Sequence, residues 1–187
     1  MAGFSKFLLE LFGWTLVGYP PKDITKAVFI MVPHTSFWDF IIGRLYCWSR
    51  RIPAKIFIKK EAFKWYYGWL LKYVGGIPID RSKSGNRVEK AAEMIRDGDN
   101  IFLALTPEGT RKRVDVWKKG FYYIAQRAEV PIILSFIDYG KKEVGIGPVL
   151  NVTGDIDNDM KTIEDYYRGM QGKYPEMFNL YEKKNQL

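Results

Sequence analysis

The chain has 187 residues, a formal net charge of +8, and contents of 47% hydrophobic and 27% charged residues. At roughly 100–200 residues per domain this length predicts one domain, and the composition excludes a disordered chain. The single Cys47 excludes an internal disulfide, and the single His34 argues against a zinc site of cysteine and histidine ligands. No apolar run reaches the roughly 20 residues of a membrane-spanning helix.

The positive charge indicates an anionic partner, for which nucleic acid, a phosphate-bearing small molecule and an anionic membrane surface all qualify. The chain also carries 6 Trp, 12 Tyr and 12 Phe. Trp and Tyr favour the membrane interface, although they also stack on bases, and we expect most Phe in the core.

Residues 1–21 carry an apolar pattern but no convincing signal peptide, since Glu10 interrupts the apolar run. Apolar side chains recur there at helical spacing, so that one helix face is apolar. We predict a membrane-interface helix in this segment, with docking on the core as the alternative. The residues of that face are Phe4, Phe7, Leu8, Leu11 and Phe12.

Beyond residue 21, short apolar runs alternate with helical patterns. The predicted strands are Ala27–Val32, Ala54–Ile58, Ile77–Ile79, Ile101–Leu105, Pro131–Ile137 and Val144–Val149. The predicted helices between and after them are Phe37–Ser49, Ala62–Tyr73, Arg87–Arg96, Phe121–Ala128 and Ile163–Met170. This alternation is typical of a single α/β domain with a mainly parallel sheet flanked by helices, and we assign residues 1–187 to it.

A first polar segment, Pro33 to Asp39, follows the first predicted strand, where chemistry in α/β folds collects. His34 leaves the strand, and Asp39 lies in the first turn of the next helix. Because His34 precedes that helix, the chain can fold its ring back onto Asp39. The carboxylate would fix the imidazole tautomer and make His34 a general base for a hydroxyl.

Two other interpretations of this segment stay open. Ser36-x-x-Asp39 fits a capping box, in which Asp39 only satisfies backbone N–H groups and His34 is a core residue. Capping and catalysis are compatible, because Ser36 can cap while Asp39 serves His34. A triad with a serine nucleophile is disfavoured, since no G-x-S-x-G elbow occurs.

A second polar segment, Thr106 to Arg113, follows the strand Ile101–Leu105. Arg111 and Arg113 are suited to hold a phosphate, and Gly109 allows close backbone approach. Glu108 can orient an arginine or a substrate hydroxyl, and a solvated basic loop is the alternative. The Walker A and dinucleotide fingerprints are absent, and no paired carboxylates mark a metal site.

With both segments in view, the sequence resembles the glycerolipid acyltransferase family of lysophosphatidate acyltransferases and their relatives. Four blocks carry the resemblance, in order, across about residues 28–137. They are His34 to Asp39 (the HxxxxD block), Lys59 to Phe63 through Gly68-Trp69 with Gly76 to Arg81, Pro107 to Arg111 with Lys118 to Phe121, and Val130 to Ile133. The family often has Asn at Pro33 and Phe at Thr106, which leaves the acceptor open.

The resemblance implies transfer of a fatty acyl group from acyl-CoA or acyl-ACP to the hydroxyl of a lysophospholipid such as 1-acyl-glycerol-3-phosphate. It implies His34 as the base and Asp39 as its orienting partner. It implies no metal and no cofactor, since the acyl thioester is a co-substrate. The resemblance also implies residues that hold the acceptor, especially its phosphate, and these are Lys60, Arg81, Glu108, Gly109, Thr110, Arg111 and Arg113.

These substrates account for the positive charge without nucleic acid. We expect a peripheral protein on the cytoplasmic face of a membrane, with residues 1–21 and the aromatic stretch Trp65–Leu71 in contact with the leaflet. For the second stretch the alternative is a helix packed on the sheet. The rival functions are a lipid hydrolase or thioesterase, and a non-enzymatic basic module that binds membranes or nucleic acid.

Overall fold

The computed structural model describes residues 1–80 and 87–180. The α-helices are α1 (Ala2–Leu11), α2 (Trp38–Ser49), α3 (Gly68–Tyr73), α4 (Arg87–Asp97), α5 (Gly120–Ala128) and α6 (Ile156–Tyr167). The strands are β1 (Thr15–Val17), β2 (Lys26–Val32), β3 (Ala54–Lys59), β4 (Gly76–Ile79), β5 (Ile101–Leu105), β6 (Ile132–Asp138) and β7 (Glu143–Leu150). Two short 3₁₀ helices are Lys60–Ala62 and Pro175–Met177.

The strands form one seven-stranded sheet in the order β1-β7-β6-β2-β5-β3-β4. Among the described strands only β6 and β7 pair antiparallel, which confirms the predicted α/β class with a mainly parallel sheet. The central strand β2 pairs with β5 on one side and with β6 on the other. Because these three strands run parallel, the segments that follow them meet at one edge of the sheet.

The central strands are apolar on both faces, as expected for parallel strands covered by helices on both sides. Every residue of β6 is buried. One face of the sheet packs against α4, α5 and α6 through an apolar cluster that includes Val28 and Leu103. The opposite face packs against α1 and α2 through a cluster that includes Phe29 and Tyr46. The sheet therefore holds its C-terminal edge rigidly between two helical layers.

Three predicted elements differ from the structure. The predicted helix Ala62–Tyr73 is wrong in its first half, because α3 begins only at Gly68, and the bulky aromatic residues before it have weak helix propensity. The last helix, α6, begins at Ile156 because Asp155 caps it by accepting a hydrogen bond from the Asn158 N–H at 3.1 Å. Within residues 1–21 the helix ends at Leu11, and the short strand β1 follows where the sequence predicts no strand.

The helix α1 lies over α2 and buries Leu9, while most of its apolar side chains face outward. A second group of exposed aromatic side chains lies around α3, and the Tyr73 hydroxyl contacts the Met1 sulfur at 2.8 Å. None of the helices in the described ranges has the length and hydropathy to cross a bilayer. We call these side chains together the apolar surface: Phe4, Phe7, Leu11, Phe12, Trp65, Tyr66, Trp69, Leu70 and Tyr73.

Candidate active site

The turn between β2 and α2 brings His34 beside Asp39. The Nδ1 atom of His34 lies 3.2 Å from Asp39 Oδ2. The same oxygen accepts hydrogen bonds from the main-chain N–H groups of Thr35 and Ser36, each at 2.8 Å. The other oxygen, Oδ1, accepts a hydrogen bond from the Tyr139 hydroxyl at 2.7 Å. Asp39, only 2% exposed, is thus a fully hydrogen-bonded carboxylate that holds the imidazole.

Capping and contact with the imidazole occur together in this turn. Ser36 Oγ accepts a hydrogen bond from the N–H of Trp38, the first residue of α2, at 3.2 Å, while Asp39 accepts one from the Ser36 N–H just before the helix. With Nδ1–H directed at Asp39, the lone pair of His34 belongs to Nε2, the geometry of a general base. The Ser36 hydroxyl is buried and used as a cap, which disfavours a serine nucleophile.

Glu108 joins the second polar loop to this turn. Its Oε1 accepts a hydrogen bond from the His34 main-chain N–H at 3.0 Å. Burial raises the pKa of Glu108 to about 8, and Oε2 has no hydrogen-bond partner in the described part of the chain. The sequence predicts Glu108 as an acceptor-binding residue, but the structure buries it behind the turn and away from the cavity lining. Its contact is with the His34 backbone.

A cavity of about 820 Å³ opens beside the imidazole. Exposed or half-buried polar residues and a glycine form its mouth: His34, Gly109, Thr110, Arg111 and Lys118. Mostly apolar side chains line its interior, which are Phe29, Met31, Phe40, Cys47, Ala54 and Ile56. The buried Arg44 lies among them and donates to the Ala54 carbonyl at 3.1 Å. Burial raises the pKa of the Cys47 thiol to about 11, so this thiol stays protonated near neutral pH and lines the wall as an apolar group. A cationic mouth and a largely apolar interior suit an amphiphile with an anionic head group.

The loop after β5 places its cations through a glycine turn. Gly109 has a φ of +66°, and a Cβ atom there would lie 2.9 Å from the Lys118 side chain. The Lys118 N–H donates to the Pro107 carbonyl at 2.8 Å, which folds Lys118 back onto the loop. Sequence reasoning missed Lys118 as a site residue, although the block Lys118 to Phe121 carries part of the family resemblance. Arg111 and Lys118 therefore form the cationic side of the mouth.

The remaining predicted site residues lie elsewhere. Arg113 directs Nη1 toward the Glu176 carbonyl at 3.5 Å and does not line the cavity. Lys60 is exposed in the first 3₁₀ helix and does not line the cavity either. Arg81 lies outside the described residues. Nowhere in residues 1–80 and 87–180 do three His, Cys, Asp or Glu side chains cluster as a metal site requires.

Comparison with known proteins shows the family to which this chain is related. A family model described as Acyltransferase matches residues 20–135. A 1-acyl-sn-glycerol-3-phosphate acyltransferase of Streptococcus pneumoniae (strain ATCC BAA-255 / R6) is 30% identical over 107 residues, which are 56% of this chain and 39% of that protein. The chain thus spans less than half of the curated relative that it matches.

The fold has a solved counterpart as well. The crystal structure of the 1-acyl-sn-glycerophosphate (LPA) acyltransferase PlsC from Thermotoga maritima is similar to this chain with a TM-score of 0.62 and 18% sequence identity. The similarity covers 88% of this chain and 74% of that one. At this level of identity it shows a shared fold.

Proposed function

The chain belongs to the acyltransferase family, and from that premise we propose that it transfers a fatty acyl group from a CoA or acyl carrier protein thioester to the hydroxyl of a lysophospholipid such as 1-acyl-glycerol-3-phosphate. The observation that carries the proposal is the position of His34, at the cationic mouth of a cavity whose interior is largely apolar. The Streptococcus pneumoniae relative, a 1-acyl-sn-glycerol-3-phosphate acyltransferase, supports the choice of substrate class.

The proposed chemistry is a direct transfer in which His34 is the general base. Nε2 takes the proton of the acceptor hydroxyl while its oxygen attacks the thioester carbonyl carbon. The C–O bond forms, the C–S bond breaks, and the proton passes to the departing thiolate to give a thiol. Asp39 stabilises the imidazolium that forms in between. A positioned base contributes about 10²–10⁴-fold, and alignment of two substrates contributes up to about 7–11 kcal/mol.

The cavity suggests how each substrate is held. The apolar interior accommodates the acyl chain, since Met31, Phe40 and Ile56 present only apolar groups there. The acceptor phosphate lies between Arg111 and Lys118, where charge-assisted hydrogen bonds are available beside His34.

The apolar surface supports a peripheral position at a membrane. Its side chains belong to α1 and to the segment around α3, and Trp65 is 92% exposed. Lys6, Lys64 and Lys72 lie within the same two segments. Exposed aromatic groups beside lysines are typical of segments that lie in the interface of an anionic leaflet, and we propose the cytoplasmic leaflet.

An acyl-transfer assay with a labelled thioester donor and a panel of lysolipid acceptors tests the function. We expect a new ester with wild type and its loss with His34→Gln, which removes the proton-accepting imidazole. Circular dichroism of both proteins controls for folding. Free fatty acid formed at the same rate with and without acceptor would instead identify a hydrolase or thioesterase, and a folded His34→Gln variant with full activity would overturn the mechanism.

A further inference from the structure

We propose that Tyr139 is a positioning residue for the His34–Asp39 pair. The inference rests on the proposed function, because it assumes that His34 takes a proton during the reaction. Tyr139 lies outside the four sequence blocks and directly follows β6, which is a neighbour of β2 in the sheet. Its position is thus set by the topology and not by the local sequence around His34.

The hydrogen bonds of Asp39 show what Tyr139 does. Oδ2 accepts hydrogen bonds from two main-chain N–H groups and faces His34 Nδ1, so its capacity to accept hydrogen bonds is filled. Oδ1 accepts its hydrogen bond from the Tyr139 hydroxyl at 2.7 Å, the only side-chain donor to Asp39 besides His34 in the described ranges. Tyr139 therefore fixes the rotation of the carboxylate, and with it the oxygen that His34 meets.

Tyr139 is itself held on two sides. Its ring meets the Trp14 ring edge-on, with centroids 5.0 Å apart and an interplanar angle of 85°. Its main-chain N–H donates to the Gln171 carbonyl at 2.9 Å. Trp14 is 8% exposed, and its main-chain N–H donates to the Leu9 carbonyl in the last turn of α1. These contacts fix the position of the Tyr139 ring, and with it the direction of the hydrogen bond from its hydroxyl to Asp39.

The electrostatic effect of the hydroxyl has a definite sign. Burial, and after it the hydrogen bond to Asp39, raise the pKa of Tyr139 well above its usual value, so the hydroxyl remains a donor. Its proton withdraws part of the Asp39 charge from His34. Without the hydroxyl, more of that charge faces the imidazole, and the protonated ring becomes more favourable.

Replacing Tyr139 by Phe leaves the other charges near His34 unchanged. Asp39 faces the ring, and Glu108 meets the His34 backbone. The cations that share the cavity with His34 are Arg44, Arg87, Arg111 and Lys118. A change in the His34 titration on loss of the Tyr139 hydroxyl therefore reports on Asp39.

The test uses the fact that His34 is the only histidine of the chain. Its ring C–H signals in proton NMR are unambiguous, so its titration can be followed in the free protein without any substrate. The variant is Tyr139→Phe. The matched control is Tyr122→Phe, which removes another buried tyrosine hydroxyl that donates to a carboxylate, Asp159, at 2.9 Å.

We expect the midpoint of the His34 titration in Tyr139→Phe to lie about half a pH unit or more above that of wild type, with no change in Tyr122→Phe. We expect kcat to fall about 10-fold with little change in KM for either substrate, and the acidic limb of kcat/KM to move to higher pH.

Equal midpoints and equal kcat in Tyr139→Phe and Tyr122→Phe would overturn the inference and leave the proposed function standing if His34→Gln is inactive. Free fatty acid formed at the same rate with and without acceptor would overturn the proposed function, and a fully active His34→Gln variant would overturn its mechanism, whereas the NMR titration would still decide whether Tyr139 acts on the pair. If Tyr139→Phe does not fold, Trp14→Phe is the second variant. It keeps the hydroxyl but loosens the ring, so we expect a smaller shift in the same direction, and an unchanged midpoint would refute the role.

Discussion

Glu108 and His34 are 74 positions apart in the chain, yet the Glu108 carboxyl group accepts a hydrogen bond from the His34 main-chain N–H at 3.0 Å. The two loops that carry the site are therefore fastened together by one buried acid. This bond follows from the sheet, in which β2 and β5 are direct neighbours. Glu108 stabilises the position of the base, and Arg111, three residues further along the same loop, lines the cavity.

The Glu108→Gln variant tests this buried acid through stability. Burial raises the pKa of Glu108 from 4.5 to about 8, so between these values the native state binds a proton that the unfolded chain has released. The contribution of Glu108 to stability is therefore complete below about pH 4.5 and is lost as the pH rises through about 8. The amide introduced by Glu108→Gln keeps an acceptor for the His34 N–H but does not titrate.

Urea unfolding of both proteins at about pH 5 and about pH 8 measures this difference. We expect the free energy of unfolding of wild type to fall more between these two pH values than that of Glu108→Gln, by on the order of a few kcal/mol. Parallel pH profiles of the two proteins would show that Glu108 does not titrate in this range.

The orienting role of Asp39 predicts a loss of rate. Asp39→Asn leaves a group of the same size but removes the charge that stabilises the imidazolium, so we expect kcat to fall by about 10²–10⁴-fold with little change in KM. Asp159→Asn is the matched control, since Asp159 is also buried and accepts hydrogen bonds from Tyr122 and Thr153. Steady-state kinetics would contradict the role if both variants lost the same modest fraction of kcat.

The cations at the cavity mouth predict an effect on acceptor binding. We expect Arg111→Ala and Lys118→Ala each to raise KM for a phosphate-bearing lysolipid by about 10-fold or more, since a charge-assisted hydrogen bond is lost. Lys112→Ala removes the same charge from the same loop, but Lys112 does not line the cavity, so its KM should stay near the wild-type value. An equal rise in all three variants would indicate a general effect of charge instead.

The apolar surface predicts binding to vesicles. Each large apolar side chain removed from a membrane contact costs about 1.5–3 kcal/mol, so the double variant Phe7→Ser, Leu11→Ser should bind anionic vesicles at least about 10-fold more weakly. Tyr123→Ser is the control, because Tyr123 is exposed on α5, across the sheet from α1. Co-sedimentation with vesicles measures the affinity, and equal binding of the two variants would contradict the assignment.

Much of the architecture was predictable, because buried parallel strands are continuous apolar runs bounded by polar loops. The strand β2 is an example, and the pairing of His34 with Asp39 followed from the turn after it. The strand β1 was not predictable, since three residues carry no periodicity and their pairing with β7 arises only in the folded sheet.

The missed parts of the site depend on distance along the chain and on side-chain direction. Tyr139 is 100 positions from Asp39, and no local pattern marks it. Glu108 and Arg111 belong to the same polar segment, yet one is buried behind His34 and the other faces the cavity. Residue type alone does not distinguish these directions, because they are set by packing against the turn after β2.

The central position of β2 in the sheet has a consequence for how the protein unfolds. Its amides are shielded by hydrogen-bonded neighbours on both sides, so we expect hydrogen exchange at Val28 and Ile30 to require global opening of the domain, whereas the edge strands β1 and β4 exchange by local fraying. The loop with His34 and the loop with Arg111 extend from the two adjacent interior strands β2 and β5. Heating should therefore abolish catalysis and tertiary structure in the same cooperative transition, without a populated species in which only the catalytic centre has melted.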